Sequence, residues 1–186
     1  MRIYTRSVRS FNVRSDSGSV SAVPERYSSG LMAVRDGAYG EASDDQVIAA
    51  ALRILSERLM RGNALIDPWA VRQYVALRFA NCEHEVFTCL FLDNRHRVIA
   101  CEELFRGTID GANVHPREVV KRVLVHNATA VILTHNHPSG VAEPSQSDEI
   151  VTRRLKAALA LIDVKVLDHL VVGGEVTESM AERGLL

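Results

Sequence analysis

The sequence has few cysteines, no long apolar run and almost no net charge, and each shortage narrows the kind of protein that it encodes. Its three cysteines are an odd number without a CxxC pair, which indicates a reducing compartment and small buried thiols. No apolar run approaches the ~18 residues of a membrane-spanning helix, and no secretory hydrophobic segment follows Met1. We therefore expect a cytoplasmic protein with no membrane partner.

Charge and composition indicate a globular protein. The net charge of −1 gives no electrostatic reason to expect binding to nucleic acid. A hydrophobic fraction of 47% and a charged fraction of 24% are typical of soluble domains. The 186 residues, which contain no internal repeat, are enough for one domain plus an extension.

We predict three regions, the first two of which precede the main domain. Residues 1–42 are rich in serine and arginine and lack any apolar period, which indicates a flexible tail. Such a composition also resembles an organelle transit peptide, or a tail that touches nucleic acid weakly. Residues 43–82 predict a helical pair that packs on the core. The first helix opens on a capping box at Ser43–Gln46, and the second opens at Asp67–Pro68. The predicted buried face of the second helix is Val71, Tyr74, Val75 and Phe79.

The third region, residues 83–186, predicts a mixed sheet flanked by helices. Residues 86–92 and 98–104 read as a β-hairpin around the turn at 93–96. A helix from Pro116, a buried strand at 130–134, a helix at about 145–161, a strand at 164–172 and a short returning strand follow. The order ααββαβαββ predicts the α/β class.

A pair of histidines ends the buried strand at 130–134. Side chains alternate along a strand, so His135 and His137 project to the same side. Two imidazoles with a carboxylate soon after them indicate a metal site. Asp148 is a candidate third ligand, although Ser145 to Asp148 is also a capping box for the next helix.

Several separated motifs resemble one known family. Residues 135–148 match the H-x-H-P…S-x-x-D signature of JAMM/MPN-type metalloproteins. EELFRGT (102–108), VHPREVV (114–120) and LDHLVVG (167–173) resemble the RadC-like branch. The resemblance covers roughly residues 65 to 186. The helix-hairpin-helix-like region of longer RadC proteins is absent, so the chain resembles a short form of the prophage or mobile-element type.

The resemblance implies a JAMM/MPN (cytidine deaminase-like) fold and a zinc ion held by His135, His137 and Asp148, with water in the fourth position. It implies that Glu102 is the acid–base residue, with Glu103 as the alternative. Ser145 would donate a hydrogen bond to the developing oxyanion or hold the water.

Two further motifs are typical of the branch, although no metal role is carried onto them. They are His115 and the pair Asp168–His169. For Asp168 we expect a structural polar contact, because buried polar groups need partners.

Three functions follow from this sequence. The first is a zinc-dependent hydrolase of peptide or isopeptide bonds that acts on a peptide or protein substrate. The second is a DNA-repair-associated protein that acts on or binds DNA, which the near-neutral charge does not favour. The third is a non-catalytic MPN interaction domain, which the complete ligand set does not favour. The sequence specifies neither the substrate nor the oligomeric state.

Overall fold

A computed structural model of the chain describes residues 3–5, 31–35, 38–61, 67–107 and 114–186. The chain divides into two compact units, residues 1–53 and 54–186. Among the described residues, no helix combines the length and the apolar character needed to cross a membrane.

The first unit contains a small antiparallel sheet of strands β1 (Ile3–Thr5), β2 (Leu31–Arg35) and β3 (Ala38–Glu41), in that order. These strands lie within residues 1–42, for which the sequence predicts a flexible tail. Strands of three to five residues are too short to display an alternating period in the sequence. The remainder of the predicted tail lies outside the described residues, and its flexibility stays a prediction.

Helix α1 (Asp44–Arg61) begins in the first unit and ends in the second. Its predicted capping box is present. The Ser43 N–H donates to Oε1 of Gln46 over 3.0 Å, and the Gln46 N–H donates to Oγ of Ser43 over 3.4 Å.

The second unit confirms the predicted α/β class and, counted from α1, the order ααββαβαββ. Its elements are α2 (Pro68–Phe79), β4 (Val86–Leu92), β5 (Val98–Arg106), α3 (Pro116–His126), β6 (Ala130–Asn136), α4 (Gln146–Ala160), β7 (Lys165–Gly173) and β8 (Val176–Ser179). The sheet order is β5-β4-β6-β7-β8. Strands β6 and β7 are parallel, and the other neighbouring pairs are antiparallel.

Helices cover both faces of the sheet. Helices α3 and α4 bury Val119, Val123, Leu155 and Leu159 against Phe87, Phe91, Val131 and Leu133 of the two central strands. Helix α2 packs against β7 and β8. Every residue of β4 and β6 is buried, as expected for strands that are covered on both sides.

Helices α2 and α4 differ in how clearly the sequence marks the side that is buried. Val71, Tyr74, Val75 and Phe79 of α2 are all buried, as predicted. At α4 two apolar residues are exposed, Ile150 in the helix and Leu161 directly after it. The buried residues of that helix are Thr152, Leu155 and Leu159. A helix with apolar residues around more than half of its circumference does not reveal from its pattern alone which side is covered.

The loop after β6 lies directly on the end of β7. The His137 N–H donates to the Val172 carbonyl over 2.7 Å. A Cβ built on Gly173 would lie 2.3 Å from the backbone nitrogen of Ala142 and 2.4 Å from the carbonyl carbon of Val141. Glycine at this position therefore permits the close approach of the loop to the sheet.

We expect Gly173→Ala to destabilise the protein by about 3 kcal/mol, because the added methyl group would force the backbone of the loop away from β7. Gly184→Ala is the control. Gly184 has a positive φ of 72°, and apart from its two chain neighbours no atom of the described residues lies within 4 Å of its ideal Cβ. This variant should therefore cost only about 1 kcal/mol of backbone strain. Urea unfolding of both variants measures the difference. A Gly173→Ala variant no less stable than Gly184→Ala would contradict the tight packing.

Candidate metal centre

The two histidines of the HNHP motif meet at the end of β6. His135 is the penultimate residue of the strand and is 1% exposed, whereas His137 follows the strand and is half-buried. Their Nε2 atoms lie 3.0 Å apart. The alternation of side chains along the strand therefore brings the two imidazoles to the same side, as predicted.

Asp148 reaches the histidines from the first turn of α4. Its Oδ1 lies 3.1 Å from Nε2 of His135, and its Oδ2 lies 3.4 Å from Nε2 of His137. The three predicted ligands are thus brought together, with one ligand atom from each within 4.8 Å of the others.

Ser145 holds Asp148 in this position through the predicted capping box. The Asp148 N–H donates to Oγ of Ser145 over 3.2 Å. In return, Oδ2 of Asp148 accepts hydrogen bonds from the Ser145 N–H over 2.7 Å and from its hydroxyl over 2.6 Å. The capping box and the convergence on the histidines are compatible, because the cap uses the same carboxylate that faces the imidazoles.

The ionisation of the group favours a cation. Burial alone would raise the pKa of Asp148, but its hydrogen bonds to His135 and His137 outweigh burial and hold that pKa well below its usual range. The hydrogen bond to Asp148 raises the pKa of His137, and the Glu85 carboxylate adds a smaller electrostatic contribution. Asp148 therefore stays negatively charged across the physiological range.

The donor atoms fit a metal ion. Nδ1 of His137 lies 2.7 Å from the Val141 carbonyl, which can only accept, so Nδ1 carries the proton. The Nε2 of the neutral ring then has a free lone pair directed at the other two ligands. Two imidazole nitrogens and one carboxylate are a ligand set typical of catalytic zinc, which leaves a coordination position for water.

The inner side of His135 is enclosed by protein groups. Its Nδ1 lies 2.9 Å from Nε2 of His169, and Nδ1 of His169 lies 2.6 Å from Oγ1 of Thr152. The Phe87 ring stacks on His135 at a centroid distance of 6.3 Å and an interplanar angle of 14°. Complete burial lowers the pKa of His169 well below its ordinary value, so this ring is neutral.

Glu102 and Glu103 are not brought to this group. Nε of Arg122 donates to Oε2 of Glu102 over 2.7 Å, and Nε2 of His126 lies 2.8 Å from Oε1 of the same carboxylate. Both partners belong to α3. The strand register places Glu102 opposite Cys89, two strands away from β6 and roughly 12 Å from His135 between backbones. Glu103 pairs instead with Arg106, at 2.8 Å.

Glu85 is an acidic residue near this group for which the sequence predicts no role. It directly precedes β4, where Phe87 pairs with His135 in antiparallel register. Continuing this register by two residues sets Glu85 opposite His137, and its charge contributes to the raised pKa of that histidine. The available signal was an acid two residues before a buried aromatic residue at the start of a strand. This signal points to the histidines only if β4 and β6 are known to be neighbouring strands.

Asn136, which lies between the two histidines, fixes the backbone on both sides of Glu85. Its Oδ1 accepts from the Val86 N–H over 2.8 Å, and its Nδ2 donates to the His84 carbonyl over 3.0 Å. Asn136 is buried, so these bonds are shielded from water. One side chain therefore ties the histidine-bearing strand to the segment that carries Glu85.

Asp168 and His115, which belong to the other two motifs typical of the branch, contact neighbouring protein groups. Asp168 accepts hydrogen bonds from the His169 N–H over 2.7 Å, from the Ser179 hydroxyl over 2.7 Å and from the Ala181 N–H over 3.1 Å. This is the structural polar contact that the sequence predicts. His115 precedes α3 and packs edge-on against Phe105 at a centroid distance of 6.1 Å.

The fold and the site together define an α/β domain with a His–His–Asp group at the end of its central strand. Residues 65–185 match the family described as the RadC-like JAB domain. The chain belongs to this family. JAB domains are often metal-dependent hydrolases.

The similar proteins are bacterial and carry the name UPF0758. One from Thioalkalivibrio sulfidiphilus is 66% identical over 140 residues, which cover 75% of this chain and 62% of that protein. Another, from Nitrosococcus oceani, is 65% identical over 134 residues, 72% of this chain and 60% of that protein. A third, from Halorhodospira halophila, is 56% identical over 150 residues, 79% of this chain and 67% of that protein. The chain spans less than two-thirds of the length of the first two relatives.

We expect zinc affinity to fall as the pH is lowered, because the proton and the metal compete for Nε2 of His137. The hydrogen bond to Asp148 raises the pKa of His137 above its ordinary 6.5. Above the raised pKa the ring is neutral and would bind zinc without losing a proton. Below it, each zinc displaces one proton, and affinity should fall about tenfold per pH unit.

Competition with a chromogenic chelator between ~pH 5 and ~pH 8 measures this dependence. Asp148 stays ionised over that range and adds no slope of its own, since its pKa is strongly lowered. An affinity that is already independent of pH below the ordinary pKa of a histidine would contradict the expectation.

Proposed function

We propose that this chain is a zinc-dependent hydrolase that cleaves a peptide or isopeptide bond with a metal-activated water. The observation that carries the proposal is the convergence of His135, His137 and Asp148 at the end of β6. Membership of a family whose JAB domains are often metal-dependent hydrolases supports it. Bound zinc would supply Lewis acidity and lower the pKa of a water towards ~7.

Glu85 is the acid–base residue in this proposal, in place of Glu102. A carboxylate oxygen of Glu85 takes the proton of the attacking water and passes it to the nitrogen of the leaving amine. Continuing the β4–β6 register sets Glu85 opposite His137, and Glu85 is half-buried, which supports this role.

Glu102 is poorly suited to the same task. Its hydrogen bond with Arg122 is the main reason that the pKa of Glu102 is lowered, and the bond with His126 adds to this effect. A carboxylate with a lowered pKa accepts a proton weakly. The geometry supports a structural role for Glu102, which joins β5 to α3.

Ser145 has a positioning role in the proposed reaction. Its hydroxyl hydrogen is donated to Oδ2 of Asp148, so the hydroxyl orients this ligand. Ser145 is exposed at the start of α4, and its hydroxyl can turn towards a substrate oxygen when a substrate is present.

The test is a comparison of two glutamine variants in the zinc-loaded chain. We expect Glu85→Gln to lower the rate of amide hydrolysis by about 10²- to 10⁴-fold, because the variant cannot accept the proton. Zinc binding should be retained. Glu102→Gln, the matched control, should retain hydrolysis and lose a small part of the stability that its ion pair supplies. A library of peptides and isopeptide-linked peptides serves as substrate.

Two results would count against the proposal. If the zinc-loaded chain hydrolyses no member of the library, the hydrolase function fails. If Glu102→Gln removes hydrolysis and Glu85→Gln does not, the metal chemistry survives but the assignment of the base is wrong.

Asn136→Ala tests the connection between the ligand strand and the base. Without the amide, the segment at Glu85 loses the hydrogen bonds to the Val86 N–H and the His84 carbonyl. We expect kcat to fall by about tenfold or more, because misplacement of a catalytic group by ~1 Å is costly. Zinc affinity should change far less. A variant that loses zinc and activity in equal proportion would show that Asn136 acts on the ligands instead.

A further inference from the structure

A buried hydrogen-bonded chain runs inward from His135 and returns to the helix that carries Asp148. It passes from Nδ1 of His135 to Nε2 of His169 over 2.9 Å, and from Nδ1 of His169 to Oγ1 of Thr152 over 2.6 Å. The Thr152 hydroxyl then donates to the backbone carbonyl of Asp148 over 2.6 Å. The chain therefore joins β6, β7 and α4, and both of its ends are residues of the proposed metal site.

A metal on His135 would fix the direction of every bond in this chain. If Nε2 of His135 gives its lone pair to the metal, Nδ1 must carry the ring proton. Nε2 of His169 must then accept the hydrogen bond from that N–H, so the proton of the His169 ring lies on Nδ1. Oγ1 of Thr152 accepts from that Nδ1–H, which leaves the hydroxyl hydrogen for the Asp148 carbonyl. In this series of hydrogen bonds each donor therefore has an acceptor.

We infer that His169 and Thr152 are positioning residues that hold His135 as an Nε2 ligand and set the zinc affinity of the site. This inference rests on the proposed zinc function and extends it to two residues for which the sequence predicts no metal role. Partners of this kind orient a ligating histidine and fix its tautomer.

Because His169 and Thr152 are buried, water cannot take over the hydrogen bonds that these two positioning residues make. His169 is fully buried, and His135 and Thr152 are each 1% exposed. Phe87 packs edge-on against His169 at a centroid distance of 5.5 Å and stacks on His135. If the acceptor on His169 is removed, the Nδ1–H of His135 remains buried without a partner, and the ring loses the contact that sets its orientation.

Two pairs of single-residue variants, made in the whole protein, test the inference. His169→Leu removes the acceptor, whereas His169→Gln retains an oxygen near the position of Nε2. Thr152→Val removes the hydroxyl with little change of shape, whereas Thr152→Ser retains it. Leu170→Ala is the control for a loss of stability alone. Leu170 is buried, follows His169 on the opposite face of β7 and makes none of the hydrogen bonds between His135, His169, Thr152 and Asp148.

The first readout is the zinc dissociation constant, measured by chelator competition. We expect His169→Leu to weaken binding by about 10- to 100-fold, with most of the affinity retained in His169→Gln. Thr152→Val should weaken binding by about 2- to 10-fold, and Thr152→Ser should bind as the unsubstituted chain does. Leu170→Ala should unfold at a lower temperature and bind zinc within about twofold of the unsubstituted chain.

The second readout is the tautomer of His135, from long-range ¹H–¹⁵N spectra of the zinc-loaded protein. We expect a protonated, hydrogen-bonded Nδ1 in the unsubstituted chain and a shifted or exchanging Nδ1 proton in His169→Leu. A purely structural residue would not change this signal.

The outcomes separate this inference from the proposed function. If the unsubstituted chain binds no zinc, the metal function fails and the inference fails with it. If it binds zinc but His169→Leu is weakened no more than Leu170→Ala, only the inference is overturned. If His169→Leu does not fold, Thr152→Val decides, and equal affinity in Thr152→Val and Thr152→Ser overturns the inference.

Discussion

The close approach of two imidazole nitrogens and a carboxylate is the constraint on which the rest of this domain depends. Nε2 of His135 and Nε2 of His137 lie 3.0 Å apart, and Oδ1 of Asp148 lies 3.1 Å from Nε2 of His135. Lone pairs at this separation repel unless a proton or a cation lies among them. The surroundings must therefore hold the ligands rigidly. The central strand β6 fixes one side, and the capped start of α4 fixes the other.

The parts of the site that the sequence predicts are those that local geometry determines. His135 and His137 share a side because a strand alternates with a period of two. Ser145 and Asp148 form hydrogen bonds with each other because the first turn of a helix brings these two positions close together. Neither relation needs knowledge of which strands are neighbours. For the same reason the order of elements and the buried face of α2 follow from periodicity alone.

The parts that the sequence does not predict depend on strand neighbours and register. Glu85 comes near His137 because β4 runs antiparallel to β6, and His169 contacts His135 because β7 runs parallel to β6 on its other side. Glu102 looks suitable on an upstream strand, yet β5 is separated from β6 by β4, and α3 supplies the partners of Glu102, Arg122 and His126. These relations are long-range, and no local pattern of apolar residues encodes them.

The same topology gives the proposed metal site a buried side and a more exposed side. His135 lies on the buried side, where His169, Thr152 and Phe87 exclude water and strengthen each hydrogen bond through the low local dielectric. The side chains of His137 and Asp148 are 17% and 14% exposed, and Glu85 is half-buried near them. The strand order therefore separates the residues that hold a ligand in place from those that can exchange protons with water.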